Sequence, residues 1–351
     1  MRHLLLSIAL LVAGTSAASA GVVEFKAFDS PALGRTLPTA VYVPEGAPPV
    51  GGWPVVYLLH GHNGNERSWV DLGAIEETLD RLMAKGGDLD PALVVMPDAE
   101  NSWYVDSEAA GGPGDYETAL TRDLRKAVEA AYPVRTDRTG RAVVGLSMGG
   151  FGALRLGLTH PDLYAVSASL SGAIWQNIPQ ALAGRSLDDL KAVQNETYLN
   201  RLDEATMTAG VILPSVGDHY EGAFGTPFDA GRFNALNVFT LLAKQVAASA
   251  RLPAFYIACG DDDGHGLWRG AVAFYTALKA NGEQAELRIA DGDHIWPVWA
   301  RDVVGALAYV EEQREAGDAV VTAPVPADDR PAATPAAAVL ALDEKAPVVA
   351  R

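Results

Sequence analysis

The sequence has only one cysteine, Cys259, among its 351 residues. No disulfide can form within a single chain, so the apolar core must hold the fold together. Basic residues are also few: 27 Lys and Arg compared with 44 Asp and Glu, which gives a formal net charge of −17. A charge of this sign argues against nucleic acids and anionic lipid surfaces as partners.

Long hydrophobic runs are absent apart from one near the start of the chain. A basic beginning precedes the apolar run 4–13, and Ala-Ser-Ala follows at 18–20. This is the pattern of a signal peptide with a small-residue cleavage site, and the run is shorter than the ~20 residues that span a bilayer. We therefore predict that residues 1–20 are removed, that the mature chain starts at Gly21, and that it is secreted or periplasmic without a stable membrane span.

Strand-like and helix-like segments alternate from residue 22 onward. Apolar runs bounded by Gly or Pro predict strands, and segments with helical spacing of apolar residues predict helices. Such alternation is typical of a mostly parallel sheet with helices on both faces. The predicted strands are 22–28 and 36–43 (an antiparallel pair), 54–60, 92–96, 141–146, 165–170, 253–259 and 285–289; the predicted helices are 71–85, 117–132, 149–158, 267–280 and 296–312.

Two segments interrupt this alternation. Residues 173–250 separate two predicted strands and are much longer than an ordinary connection, which predicts a mainly helical cap or lid insertion. Residues 316–351 consist largely of Ala, Pro, Val and Asp without periodicity, which predicts a disordered tail. The predicted catalytic domain is therefore 21–315.

A G-x-S-x-G motif, Gly145 to Gly149, lies between an apolar strand and a helix rich in small residues. A sharp strand-to-helix turn of this kind exposes the serine hydroxyl, and its glycines leave room for neighbouring backbone. A plain tight turn is the alternative, but the flanking strand and helix favour a nucleophile. The sequence therefore predicts Ser147 as the nucleophile.

A serine hydroxyl needs a histidine to accept its proton and a carboxylate to orient that histidine. In folds with this motif the acid follows the serine in the chain and the histidine comes last. His294, between the last predicted strand and helix, is favoured as the base over a role as a helix cap. Asp261, Asp262 and Asp263 all follow a predicted strand end, and spacing alone does not choose among them. A solvated turn or a weak cation site is the other interpretation of this acidic cluster.

A tetrahedral intermediate also needs two backbone N–H donors. The residue after the nucleophile supplies one, Met148, and the loop after an early strand supplies the other, which predicts the N–H of His62. A metal site at His60 and His62 is the competing idea, but no third ligand is evident. We predict no metal and no organic cofactor.

Several aromatic residues lie in predicted loops or in the predicted insertion, near the carboxyl ends of strands. Aromatic walls in such a place suit an aryl ester or a sugar-linked acyl group. The alternative is that half of them belong to the ordinary core. The predicted substrate-binding residues are Trp69, Trp103, Tyr104 and Trp175, with Tyr220 and Phe224 as further candidates.

Four segments carry a resemblance to a known family: YLLHGHNGNERSW (57–69), VVMPDAENSWYVDS (94–107), YPVRTDRTGRAVVGLSMGGFGALRLGLTHPDLYAVSASLSG (132–172) and GDHIWPVW (292–299). They resemble a family of α/β-hydrolases that contains feruloyl and acetyl esterases, S-formylglutathione hydrolases and the mycolyltransferases of the antigen 85 group. The resemblance covers roughly residues 22–313 and is weakest in the insertion. It implies the α/β-hydrolase fold and a serine catalytic triad.

The resemblance also bears on the acid and the base. The family's C-G-x-x-D pattern maps onto residues 259–263 and favours Asp263 as the triad acid. The following residues, 264–266, depart from the family's apolar pattern, which leaves Asp262 open. The family's H-x-W-x-x-W ending is intact from His294 to Trp299, which supports His294 as the base.

We therefore expect an exported serine carboxylic ester hydrolase that acts through an acyl-enzyme on Ser147, on a small-molecule or carbohydrate-linked ester. One alternative is an acyltransferase that uses the same residues, with a sugar hydroxyl in place of water. Another is a noncatalytic carbohydrate-binding or surface protein that keeps the fold, against which the intact Ser, Asp and His argue. The predicted export disfavours S-formylglutathione, because glutathione thioesters are expected in the cytosol.

Overall fold

The structure, a computed structural model, describes residues 20–178 and 220–322, with side chains up to residue 316. Eight strands occur within these residues, and each begins and ends within about two residues of its predicted position. They are β1 (Val22–Ser30), β2 (Arg35–Val43), β3 (Val55–Leu59), β4 (Leu93–Pro97), β5 (Arg141–Leu146), β6 (Val166–Leu170), β7 (Ala254–Gly260) and β8 (Ala285–Ala290).

The strands form a single sheet in the order β1-β2-β4-β3-β5-β6-β7-β8. β1 is antiparallel to β2, as predicted, and β2 is antiparallel to β4. All remaining neighbours are parallel. The carboxyl ends of β3 to β8 therefore lie at one edge of the sheet, where the loops that follow them meet.

Helices cover both faces of the sheet, which explains why every residue of β3 is buried. The α-helices among the described residues are α1 (Ser68–Asp71), α2 (Ile75–Met83), α3 (Tyr116–Thr118), α4 (Arg125–Ala131), α5 (Met148–Thr159), α6 (Ala230–Leu236), α7 (Val238–Ala247), α8 (Trp268–Ala280) and α9 (Trp296–Thr322), with a π-helical segment (Ala119–Leu124) between α3 and α4. One core cluster contains buried residues of α5, α7 and α8, and the other contains buried residues of α2 and α9.

Two helices differ from the predicted ones. The predicted helix 71–85 is interrupted before Ile75, because Ala74 has a φ of 47° and breaks the helical path. The last helix was expected to end at Glu312 but runs to Thr322, into the segment predicted as a disordered tail. Its added turns contain Glu, Gln, Arg and Ala, which have high helix propensity.

The predicted insertion 173–250 is described at its two ends only, since residues 179–219 lie outside the described residues. The described part includes α7, which packs on α5 through buried apolar residues and through a hydrogen bond from Gln245 Nε2 to the carbonyl of Leu158 at 2.7 Å. That helix belongs to the layer that covers the sheet, so the predicted boundary of the insertion takes in part of the main layer.

The two ends of the chain, residues 1–19 and 323–351, also lie outside the described residues. They contain nearly all of the predicted signal peptide and most of the predicted tail. None of the helices that the structure describes is both long and apolar enough to cross a membrane.

A buried ion pair connects α5 to α3. Arg155 is nearly inaccessible; its Nη2 donates to Glu117 Oε2 at 2.6 Å and its Nη1 donates to the carbonyl of Tyr104 at 3.0 Å. Glu117 Oε1 lies 2.7 Å from His160 Nε2. Burial raises the pKa of Glu117, but the hydrogen bond to His160 and the charge of Arg155 outweigh burial and lower this pKa to about 2. The carboxylate therefore stays ionised at neutral pH.

We expect Glu117→Gln to lower the free energy of unfolding by about 3 kcal/mol at pH 7, because Arg155 would keep its buried charge without a counter-charge. The folded-state pKa of Glu117 lies below its ordinary value of 4.5. The stabilisation is thus present above about pH 4.5 and is lost as the pH falls toward 2.

Urea unfolding at pH 7 and at pH 3 measures this effect. The difference in the free energy of unfolding between wild type and Glu117→Gln should be markedly smaller at pH 3 than at pH 7. The control is Glu77→Gln on the exposed face of α2, which should change stability by less than about 0.5 kcal/mol. A deficit of equal size at both pH values would contradict an ionised Glu117.

Candidate active site

Ser147 occupies a strained turn between β5 and α5. Its φ of 53° and ψ of −118° are unusual for a residue with a side chain. The two motif glycines are needed by close backbone approach: a Cβ at Gly145 would lie 2.2 Å from the carbonyl oxygen of Gly149, and a Cβ at Gly149 would lie 2.5 Å from that of His60. The turn thus places the hydroxyl at the carboxyl edge of the sheet.

The structure brings Ser147, His294 and Asp263 together. Ser147 Oγ lies 2.9 Å from His294 Nε2, and His294 Nδ1 lies 2.7 Å from Asp263 Oδ2. A neutral imidazole with its proton on Nδ1 donates to the carboxylate and accepts the serine hydroxyl at Nε2. The three residues come from the loops after β5, β7 and β8, which meet at the carboxyl edge of the sheet.

Asp263, and not Asp262, is the carboxylate that contacts His294. The Asp263 side chain is fully buried, whereas Asp261 and Asp262 are exposed and lie beside Asp291 at the surface. Asp263 Oδ1 also accepts the N–H of His265 at 2.9 Å. This second bond fixes the carboxylate, so its other oxygen remains directed at the imidazole.

Cys259, near the end of β7, lies next to the carboxylate of Asp263. Its Sγ is 3.8 Å from Asp263 Oδ2 and the residue is buried. Burial and the adjacent carboxylate raise the pKa of the thiol, so it stays protonated and acts as a weak donor.

His60 is fully buried and bonded at both ring nitrogens. Its Nδ1 lies 2.7 Å from the carbonyl of Gly61, and its Nε2 accepts the backbone N–H of Ala99 at 2.9 Å. Burial lowers the pKa of His60, which keeps the ring neutral. Since neither nitrogen is open to a metal ion, the structure gives no support to a metal site at His60 and His62.

The backbone around His62 passes directly beside the serine. A Cβ at Gly61 would lie 3.2 Å from Ser147 Cβ and 2.6 Å from Leu146 Cδ1. A side chain at residue 61 would therefore press on Ser147 and displace the end of the Leu146 side chain. His62, which lines the same cavity as Ser147, follows this close approach, and Met148 follows Ser147 in the chain.

A cavity of about 460 Å³ opens in front of Ser147. Within the described parts of the chain, no Asp, Glu, Lys or Arg lines this cavity. The wall is mainly aromatic and imidazole, and its larger side chains are His62, Trp103, Trp175, His265, His294, Trp296 and Trp299.

The predicted aromatic residues divide into two pairs. Trp103 and Trp175 line the cavity, whereas the structure places Trp69 and Tyr104 in the core. The indole N–H of Trp69 donates to the carbonyl of Leu59 at 3.1 Å, and the hydroxyl of Tyr104 donates to the carbonyl of His60 at 2.8 Å. Trp69 belongs to α1 and Tyr104 to the segment after β4, and both side chains are buried.

Trp296 and Trp299 were missed as cavity residues, although both belong to a motif recognised in the sequence. They stack edge to face at 5.3 Å, and Trp299 also meets the His294 ring at 4.9 Å. Tyr220 and Phe224 are buried and pack against Trp103 behind the cavity wall.

Sheet order, parallel strands and a serine turn at the carboxyl edge define an α/β-hydrolase. The model of the "Putative esterase" family matches residues 30–310. The chain belongs to this family, which confirms the resemblance seen in the sequence, and it is a carboxylic ester hydrolase.

Similar proteins include esterases and acyltransferases. The chain is 26% identical over 257 residues to an acetyl esterase of Caldicellulosiruptor saccharolyticus, which covers 73% of this chain and 83% of the relative. It is 34% identical over 299 residues to the diacylglycerol acyltransferase/mycolyltransferase Ag85B of Mycobacterium leprae, and this match covers 79% of this chain and 80% of the relative. The structure of FphF, a fluorophosphonate-binding serine hydrolase of Staphylococcus aureus, matches with a TM-score of 0.63 at 20% identity, over 83% of this chain and 99% of that one.

Proposed function

We propose that this esterase is an exported serine hydrolase that forms an acyl-enzyme on Ser147. The observation that carries the proposal is the hydrogen-bond chain from Ser147 through His294 to the buried Asp263, at 2.9 and 2.7 Å. A serine hydroxyl bonded to an imidazole that a carboxylate orients is the arrangement of an activated nucleophile.

In the proposed reaction Ser147 Oγ attacks the ester carbonyl while His294 Nε2 accepts the hydroxyl proton. Asp263 holds the imidazole in the required tautomer and stabilises the imidazolium. The N–H groups of His62 and Met148 donate to the oxyanion of the tetrahedral intermediate. The imidazolium then gives its proton to the leaving alkoxide. Water then attacks the acyl carbonyl while His294 accepts its proton. The bond between the acyl carbon and Ser147 Oγ breaks, and His294 returns the proton to Oγ, which releases the acid and the free serine.

The cavity suggests the kind of ester. A wall with aromatic side chains and no charged ones among its described residues suits a neutral substrate with a flat or sugar-like group. We therefore propose an aryl or sugar-linked ester, of the kind that acetyl and feruloyl esterases cleave. The acetyl esterase relative supports the acyl part of this proposal.

The test compares methyl ferulate with p-nitrophenyl acetate. In Trp175→Ala, kcat/KM for methyl ferulate should fall about tenfold and that for p-nitrophenyl acetate less than about threefold, because only the larger acyl group reaches the aromatic wall. Trapping of the acyl group on Ser147, read by mass spectrometry after acid quench, tests the covalent step. Equal losses on the two esters would contradict an aryl subsite at Trp175.

An acyltransferase is the second candidate, favoured by the 34% identity to a relative named as one. In that case a sugar hydroxyl, and not water, attacks the acyl-enzyme. Adding glucose to the p-nitrophenyl acetate reaction distinguishes the two. A hydrolase releases acetic acid regardless of glucose, whereas a transferase yields acetyl-glucose and turns over faster as glucose increases.

Export is proposed from the leader pattern and fits the position of the first strand. β1 begins at Val22, so removal of residues 1–20 would leave every described strand complete. The backbone N–H of Gly21 donates to Asp80 Oδ1 at 2.7 Å, which holds the proposed mature end on α2. N-terminal sequencing of the protein from the periplasm or medium of a bacterial host should start at Gly21; retention of the first twenty residues would contradict cleavage.

A further inference from the structure

Two loops meet beside the nucleophile: residues 60–63, the oxyanion loop, and residues 99–104 after β4, the clamp loop. The clamp loop holds the first residue of the oxyanion loop at two points. The hydroxyl of Tyr104 donates to the carbonyl of His60 at 2.8 Å, and the backbone N–H of Ala99 donates to His60 Nε2 at 2.9 Å.

The last residue of the oxyanion loop is held as well. Asn63 has a φ of 61°, a left-handed conformation. Its backbone N–H donates to Asn101 Oδ1 at 2.7 Å, and Asn101 Nδ2 donates to Asn63 Oδ1 at 3.1 Å. Asn101 Nδ2 also donates to Glu221 Oε1 at 2.6 Å, which connects the pair to the segment predicted as the insertion.

The hydrogen bonds of Tyr104 and His60 do not depend on pH near neutrality. Burial raises the pKa of Tyr104 well above its ordinary value, so the hydroxyl remains a donor. Burial lowers the pKa of His60, so the neutral ring can donate from Nδ1 to Gly61 and accept at Nε2 from Ala99.

Tyr104 also bears directly on α5. A Cβ at Gly152 would lie 2.4 Å from the Tyr104 ring, and Arg155 Nη1 donates to the Tyr104 carbonyl. α5 begins with Met148, whose N–H is the other oxyanion donor in the proposed reaction. One side chain therefore joins the helix that carries one donor to the loop that carries the other.

We propose that the clamp loop sets the geometry of the oxyanion site, with Tyr104 and Asn101 as positioning residues. His62, the proposed donor, lies between His60 and Asn63, and the clamp loop anchors both. A donor stabilises the transition state only if it is held where the negative charge develops. This inference rests on the proposed function, which makes the His62 N–H a donor to the oxyanion.

The test uses Tyr104→Phe, which removes one hydroxyl, and Asn101→Ala at the surface. In each variant kcat for p-nitrophenyl acetate should fall about tenfold, while KM should stay within about twofold of the wild-type value. The reason is that the variants weaken stabilisation of the transition state and not binding of the ester. The inhibition constant of phenylboronic acid, which forms a tetrahedral adduct with an active-site serine, should rise about tenfold in parallel.

The matched control is Tyr57→Phe. Tyr57 is a buried tyrosine of β3 whose hydroxyl has no hydrogen-bond partner among the described residues. Its kinetic constants and its inhibition by phenylboronic acid should stay within about twofold of wild type. A merely structural role for Tyr104 would instead lower stability and leave kcat and the inhibition constant as they are in the control.

Amide hydrogen exchange separates this inference from the proposed function. Exchange of the peptide that contains residues 60–63 should become about tenfold faster in both variants and not in Tyr57→Phe. An inactive wild type would overturn the proposed function, while exchange would still report on the clamp. Unchanged exchange and unchanged kcat in Tyr104→Phe and Asn101→Ala would overturn the clamp even in an active esterase.

Discussion

Ser147→Ala should lower kcat/KM for p-nitrophenyl acetate by about 10⁴-fold or more, because the variant has no atom that can form the acyl-enzyme. Folding should be preserved, since alanine keeps the Cβ that the turn already accommodates. Steady-state hydrolysis at enzyme concentrations high enough to detect residual turnover measures the loss, and thermal unfolding confirms that the variant is folded.

A nearby serine provides the control for this variant. Ser169 is buried in β6, and its hydroxyl has no hydrogen-bond partner within the described residues. Ser169→Ala should hydrolyse the ester within about twofold of wild type. A fluorophosphonate probe should label wild type and Ser169→Ala but not Ser147→Ala. Labelling or near-normal turnover in Ser147→Ala would assign the nucleophile to another residue.

Asp263→Asn should lower kcat by about 10⁴-fold, the size of effect expected when the histidine is held in the wrong tautomer. The amide that replaces the carboxylate would donate to His294 Nδ1, which moves the ring proton to Nε2. That nitrogen then cannot accept the proton of Ser147. The geometry of the site should otherwise be unchanged, so KM should change little.

Asp262→Asn is the matched control, because it makes the same chemical change one residue earlier, at an exposed position. It removes the same charge from the same loop but has no contact with His294, so kcat should stay within about twofold of wild type. Comparison of the two variants by steady-state kinetics decides the acid. A large loss in Asp262→Asn together with a small loss in Asp263→Asn would reverse the assignment.

Much of the fold followed from local sequence pattern. A buried parallel strand is a continuous apolar run, and the chain has such runs before His60, before Asp98 and before Ser147. The turn at Ser147 was also recognisable, because the backbone approaches at Gly145 and Gly149 exclude any side chain. Patterns of this kind are repeated over several residues, so tertiary context seldom overrides them.

The roles of individual side chains were less predictable. Tyr104 and Trp69 were expected to face substrate, yet their polar atoms bond to the carbonyls of His60 and Leu59. His60 was considered as a metal ligand but proved to be a neutral bridge between two loops. Each of these roles depends on a partner distant along the chain, about which local sequence says nothing.

The sequence by itself determined the sheet, the serine turn, the candidate histidine and the family, because periodicity, glycine placement and ordered motifs are local properties. Only the tertiary structure decided that Asp263 and not Asp262 meets His294, and that Tyr104 and Asn101 bond to His60 and Asn63. The physical reason is that successive loop side chains point in different directions, and which of them is buried depends on how the ends of separate strands pack together. That packing joins Asp263 to His294 across 31 residues of chain and Ser147 to His294 across 147.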